Sequence, residues 1–288
     1  MLHRSTFRSQ VRRLVCLLVS ILPFAAQSAP EVEWYVGDHP PFFIPSGELA
    51  GKGGGDLQMH YLMSLLPQYH HRIVSSDAAR AVHDFQYRDG VCAIDLVRTP
   101  DRDRFIRFST RPLRLPGWHL IASQQAKAKI RAYLSEDGQI DLEALARNGE
   151  LAGAYVPARF YSEAIDRFVS GEAGGGRLTQ VMQTSPMLNL MHAKRIDYFI
   201  GLPQQVPYYS LLFPTDPPLE SVAIKGVQPL TDLFIGCSDQ PLGRDIIAHI
   251  DSALQGAEAW AGFVQPLSPW LSPEDFAFAM GLKSERRN

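Results

Sequence analysis

The chain has 288 residues, of which 45% are hydrophobic, 20% charged and 10% aromatic, with a formal net charge of −2. This length is typical of two domains, and the composition excludes a disordered chain, a collagen, a coiled coil and a disulfide-dense mini-protein. There is no global basic field to draw nucleic acid or anionic lipid. The three cysteines are too few for a disulfide framework and are not spaced as zinc ligands.

Arg4, Arg8, Arg12 and Arg13 precede a short apolar run over residues 14–26, and no acid occurs before Glu31. A basic start, a short hydrophobic stretch and the small residues around Ser28 read as a secretory signal peptide over residues 1–28. The run is shorter than the roughly 20 apolar residues of a membrane-spanning helix. Cleavage after Ser28 would place Ala26 and Ser28 at the two positions that must be small. An uncleaved anchor is one alternative. A lipid on Cys16 is another, with Arg13 standing where such a motif wants an aliphatic residue. The mature protein is then expected to be soluble in the periplasm. In that oxidising compartment Cys92 and Cys237 either pair or remain small buried hydrophobes in strands.

Residues 32–36 (VEWYV) read as a first strand that stops at Gly37-Asp-His-Pro-Pro41. A glycine-rich loop at 51–55 follows, with Asp56 as the expected N-cap of a helix over 57–66. A strand over 72–75, a helix over 78–86 and a strand over 91–97, interrupted by Asp95, come next. The pattern restarts at 118–122. It runs through a helix at 141–148, a strand at 151–156, helices at 160–169 and 185–194 and a strand at 196–200. The stretch 203–218 holds five prolines, too many for a helix or a central strand. A strand-like 221–225 and helices at 242–255 and 273–280 close the chain. This alternation predicts α/β units around mostly parallel sheets. It suggests two lobes, the second inserted into the first, with crossings near 109–123 and 214–224.

The glycines at 51–55 lack the Lys-Ser/Thr pair of a phosphate loop, and Asp56 would repel phosphate. His60, His70 and His71 lack partners at metal-ligand spacing, and His70-His71 read as a solvated loop end. No His-Glu-x-x-His, Gly-x-Ser-x-Gly or Gly-x-Gly-x-x-Gly occurs. Residues 91–112 (VCAIDLVRTPDRDRFIRFSTRP) are more informative, because they place Asp95, Thr99 and Arg102 just beyond a buried strand. In α/β sheets ligands sit at the carboxyl ends of strands, and an arginine there can clamp a carboxylate. From charge alone the same residues read more readily as a solvated charge run.

Thr99-Pro-Asp-Arg102 followed by Phe108-Ser109 resembles the signature of the polar amino-acid (family 3) periplasmic solute-binding proteins, which have the bilobed type II fold. Pro41-Phe42, Gly47-Glu-Leu-Ala-Gly51 leading to Asp56, and Lys194-Arg-Ile-Asp197 fall in that family's order. The resemblance spans nearly all of the mature chain and marks it as a divergent branch. It implies two α/β lobes, each a mostly parallel sheet flanked by helices, joined by a two-strand hinge. Lobe 1 would comprise residues 29–115 and 221–288, and lobe 2 residues 116–220. It further implies closure on a small ligand that an ABC permease in the inner membrane then receives, with no cofactor, metal or nucleic acid, in a monomer.

By that resemblance Arg102 grips a ligand carboxylate, Thr99 flanks it and His39 takes an aromatic lid position. The chain departs from the family pattern at Asp95, at Pro157-Ala158-Arg159 and at Leu202, where the family places hydroxyls or an amine-binding Asp. Arg102 and Arg159 across a cleft suit an anionic ligand. Trp118, Tyr35, Tyr155 and Tyr161 are expected candidates for the cleft walls. The alternatives are a sensing or orphan binding module of the same fold, and a dehydratase-like enzyme in which Asp95 or His39 serves as acid–base group.

Overall fold

Strand β1 (Glu31–Val36) sends Val32 and Trp34 to one face of its sheet and Tyr35 to the other, as the two-residue period of a strand requires. The computed structural model describes residues 29–283 except 158, 160 and 173–176. The signal-peptide assignment at 1–28 and the loop at 174–176 therefore lie outside the described residues. After β1 come α1 (Gly54–Ser64), β2 (His70–Ser75), α2 (Ala78–Tyr87), β3 (Val91–Val97), β4 (Ile106–Phe108) and β5 (Leu113–Pro116). The second lobe contains β6 (His119–Ala122), α3 (Lys127–Ile130), α4 (Leu142–Asn148), β7 (Ala152–Tyr155), α5 (Glu163–Val169) and β8 (Arg177–Gln180). It continues through α6 (Thr184–His192), β9 (Tyr198–Gly201), α7 (Gln205–Leu212) and β10 (Glu220–Ala223). The chain then returns through β11 (Leu230–Ser238), α8 (Pro241–Ala253), α9 (Ala257–Val264) and α10 (Pro273–Ala279).

The first sheet runs β2-β1-β3-β11-β4, with β5 also paired to β11; the second runs β10-β6-β9-β7-β8. In each sheet the strands joined through helices are parallel (β1 with β2 and β3, β7 with β8 and β9), while β11 and β6 pair antiparallel with their neighbours. Trp34, Leu62, Ile247 and Phe263 are fully or almost fully buried between the first sheet and helices α1, α8 and α9. The second sheet is covered on both faces, by Leu120, Ile165 and Phe168 on one side and Met187, Leu188 and Tyr209 on the other. Cys92 and Cys237, opposite one another on β3 and β11, form a disulfide that closes the chain over 145 residues.

Several expectations are corrected. Residues 221–225 were expected to open the returning half of lobe 1, but β10 pairs with β6, so this segment is part of the second sheet. The chain crosses back near Gln228 and Pro229, beside the outward crossing at Gly117, whose N–H donates to Pro229 O. A Cβ on Gly117 would lie 2.2 Å from Gln228 O, so only glycine lets the two crossing strands touch. The proline-rich stretch does contain a helix, α7. Pro207 is its third residue, where the missing N–H is an orphan of the first turn.

Asp56 is not the N-cap. Helix α1 starts at Gly54, and the Asp56 carboxylate folds back to accept from Gly53 N and Ile44 N at 3.0 and 3.1 Å. Gly53 lies against Phe42 O, an approach that a Cβ would block. Nor do His70 and His71 form a loop end. They open β2, and His71 accepts from Trp34 Nε1 at 3.0 Å while its Nε2 meets Leu66 O.

Candidate ligand-binding cleft

Four parallel strands, β1 and β3 of the first sheet and β7 and β9 of the second, end in the segments that carry the polar residues between the lobes. Asp38 and His39 follow β1; Asp95 lies in the second half of β3, and Thr99 and Arg102 follow it. Arg159 follows β7, and Leu202, Gln204 and Gln205 follow β9. Carboxyl ends of parallel strands present loops and helix starts, which explains why polar groups concentrate there.

Arg159 spans the cleft. Its Nη2 donates to Asp38 O of the first lobe at 3.2 Å and to Thr184 Oγ1 of the second at 2.9 Å. The Asp38 carboxylate accepts from both Ser185 N (3.2 Å) and Ser185 Oγ (2.9 Å), capping the first turn of α6 from the opposite lobe. Gln205 Nε2 donates to Pro40 O at 3.3 Å, and its Oε1 accepts from Leu202 N. Ile44 of the first lobe joins the apolar cluster of Met187, Leu188 and Tyr208 in the second. The lobes are thus closed on one another.

On the first-lobe wall, Thr99 Oγ1 accepts from Arg102 N, and Arg102 Nη1 donates to Val97 O at 2.8 Å. Burial lowers the Arg102 guanidinium, and Asp95 opposes that shift. Burial pushes the Asp95 carboxyl above its usual range, while Arg159 and Arg102 favour its charged form. Arg159 is likewise lowered by burial, against the favourable fields of Tyr161, Asp38 and Asp95. Asp95 therefore lies in the fields of both guanidinium groups, and Asp38, whose carboxylate is held by Ser185, is a second acid beside Arg159.

The aromatic wall is His39, Trp118 and Tyr161. The His39 ring stacks on Trp118 at 6.4 Å and 15°, and Trp118 packs on Tyr161 at 4.6 Å. Burial and the neighbouring Arg159 hold the His39 imidazole well below its ordinary value of 6.5. In the unfolded chain an imidazole titrates near that ordinary value. The folded form therefore binds fewer protons than the unfolded chain below pH 6.5, and loses up to about 1.4 kcal/mol per pH unit there. The unfolding midpoint is expected to fall more steeply from pH 6.5 to 5 in the wild type than in His39→Phe, which keeps a ring against Trp118. Parallel curves would mean that His39 does not carry the dependence.

Of the residues singled out in the sequence, His39, Asp95, Thr99, Arg102, Trp118, Arg159 and Tyr161 come together. Tyr35 does not: it packs on Phe85 under α2, and its hydroxyl bonds Asp84 at 2.5 Å and accepts from Arg88. Tyr155 accepts from Gln180 Nε2 within the second lobe. Sequence reasoning missed Asp38, Thr184, Ser185, Gln204 and Gln205. The only available signal was the Gly-Asp-His-Pro-Pro turn that carries Asp38. A hollow of about 250 Å³ lined by Arg104, Gln240 and Arg244 lies elsewhere on the first lobe, and its arginines pair with Asp101 and Asp239.

No family model matches the sequence, and no curated protein matches it. Solved structures do match. An ancestral arginine-binding protein bound to arginine is 15% identical, with a TM-score of 0.62 over 84% of this chain and 98% of its own. An amino acid ABC transporter substrate-binding protein from Streptococcus pneumoniae, bound to L-arginine, is 14% identical with a TM-score of 0.58, covering 87% and 94%. The BvgS VFT2 domain of Bordetella pertussis is 14% identical with a TM-score of 0.56, covering 84% and 94%. The chain has the bilobed type II periplasmic-binding-protein fold. In this bilobed fold the cleft is the space between the two sheets' helix-bearing ends, where the Asp38, Asp95, Arg102 and Arg159 set lies.

Proposed function

We propose that the chain is a periplasmic solute-binding protein, exported by the segment 1–28, that captures a small polar, anionic or amino-acid-like ligand between its lobes for an ABC-type importer. The observation that carries this reading is Arg159, a buried cation that hydrogen-bonds both lobes while its Nη1 has no partner among the described residues. A ligand that takes that group stabilises the closed form, and closure is what a membrane partner can recognise. The disulfide fits an oxidising compartment, and no helix among the described residues is long and apolar enough to cross a membrane. Thr99 and Arg102 hold the first-lobe side of the ligand, Asp95 sets the charge balance, and His39 and Trp118 wall it.

Calorimetric titration tests this reading: Arg102→Ala is expected to weaken ligand affinity at least 100-fold, and unchanged affinity would refute it. The likeness to the BvgS VFT2 domain supports a second reading, a sensing module of the same fold. Loss of solute uptake on gene deletion supports import; intact uptake with a lost transcriptional response supports sensing.

A further inference from the structure

Three side chains around the Asp38–Pro40 turn carry buried polar atoms with no hydrogen-bond partner among the described residues. They are His39 at Nε2, Arg159 at Nη1, and Gln204 at both Oε1 and Nε2. Gln204 is only 2% exposed and stands immediately before α7. Its placement follows from its neighbours. Tyr208, one turn further on the same helix face, packs against Trp270 of the first lobe at 5.8 Å and lies in the field of Asp38. Gln205 Nε2 reaches Pro40 O. The start of α7 therefore rests on the turn that bears His39 and receives Arg159.

The chemistry of these atoms is specific. A guanidinium N–H calls for an acceptor, and an anionic oxygen is the strongest. A primary amide offers donors and an acceptor together, so its full complement is a group with both, such as another amide. A cation has little to meet here. The Asp38 carboxylate is taken by Ser185, Asp95 faces two arginines, and Leu202 presents an apolar side chain packed on the first-lobe core. We propose that the cleft selects a small organic carboxylate that bears an uncharged amide and no ammonium group, the carboxylate on Arg159 Nη1 and the amide on Gln204. This rests on the solute-binding reading above and names its substrate class.

The test is calorimetry on ligand-stripped protein with three related probes: succinamate, butyrate (a methyl in place of the amide) and L-asparagine (an added ammonium). Succinamate is expected to bind at least ten-fold tighter than either of the others. In Gln204→Leu it should fall to the level of butyrate, whose own affinity stays the same. The ligand-free Gln204→Leu protein should unfold at the wild-type temperature or above, because an unpaired buried amide has been removed; a midpoint several degrees lower would make the amide structural and overturn the proposal. Asparagine binding as tightly as succinamate, or a preference that survives Gln204→Leu, would also overturn it while leaving a solute-binding protein. Failure of all three probes, with the protein responding to an ordinary amino acid, overturns the substrate class alone. Failure of every solute tested overturns both.

Discussion

Arg159→Met is expected to abolish ligand binding, by about 100-fold or more, while leaving the ligand-free protein as stable as the wild type or more so. Two opposed effects lie behind this. Arg159 donates to Asp38 O in one lobe and Thr184 Oγ1 in the other, and its buried Nη1 has no partner among the described residues. Hydrogen bonds from a charged group are worth about 1.5–3 kcal/mol each, and about 1.4 kcal/mol is a factor of ten in affinity. Losing the ligand bond and the Asp38 bond together therefore gives the stated loss. Burial at the same time disfavours the charged guanidinium, so that its state is lowered from the ordinary one. An apolar side chain of similar length removes that desolvation cost, as expected where function and stability are in tension. Calorimetry and thermal unfolding on the same variant check both halves. A midpoint several degrees lower with unchanged affinity would make Arg159 a structural cap of the lobe surface.

Removing the disulfide is expected to have the largest effect on stability. Cys92 and Cys237 are fully buried and are 145 residues apart in the chain, so the bond encloses the whole second lobe within its loop. Chain-entropy reasoning gives about 4.7 kcal/mol for a loop of ~100 residues, and measured losses fall at 2–5 kcal/mol. For a chain of this size ~1 kcal/mol moves the midpoint by about 2–4 °C. Cys92→Ala combined with Cys237→Ala should thus lower it by about 10 °C, and a reductant should do the same to the wild type. Ligand affinity should not change, because both sulfurs lie in the first-lobe core rather than the cleft. A drop under about 2 °C would show that the bond adds little beyond the packing of β3 on β11.

Much of the architecture was legible because it is local. Alternating strand and helix patterns and the apolar faces are written in short windows. Thr99 and Arg102 were singled out by the resemblance of Thr99-Pro-Asp-Arg102 to a family signature, and the structure sets them just after β3. The misreadings have non-local causes. Residues 220–223 look like any edge strand, and only their pairing with β6 assigns them to the second lobe. Prolines mark a helix interior as forbidden but its first turn as permitted, which hid α7 and with it Gln204. Tyr35 and Trp118 are both aromatic residues near strand ends. The sheet face decides that one packs under α2 and the other faces His39. The Asp38–Arg159 contact joins residues 121 apart, a distance no spacing rule bridges.

Thermal unfolding of ligand-stripped protein across carboxylates, amino acids, peptides and sugars tests whether a solute held between Arg102 and Arg159 closes the two lobes. A ligand at about 100 times its dissociation constant adds roughly 2.7 kcal/mol. Carboxylates are expected to raise the midpoint by several degrees, and Arg102→Ala and Arg159→Met to abolish the rise. A midpoint unmoved by every class, or a rise that survives both substitutions, would contradict closure by such a solute.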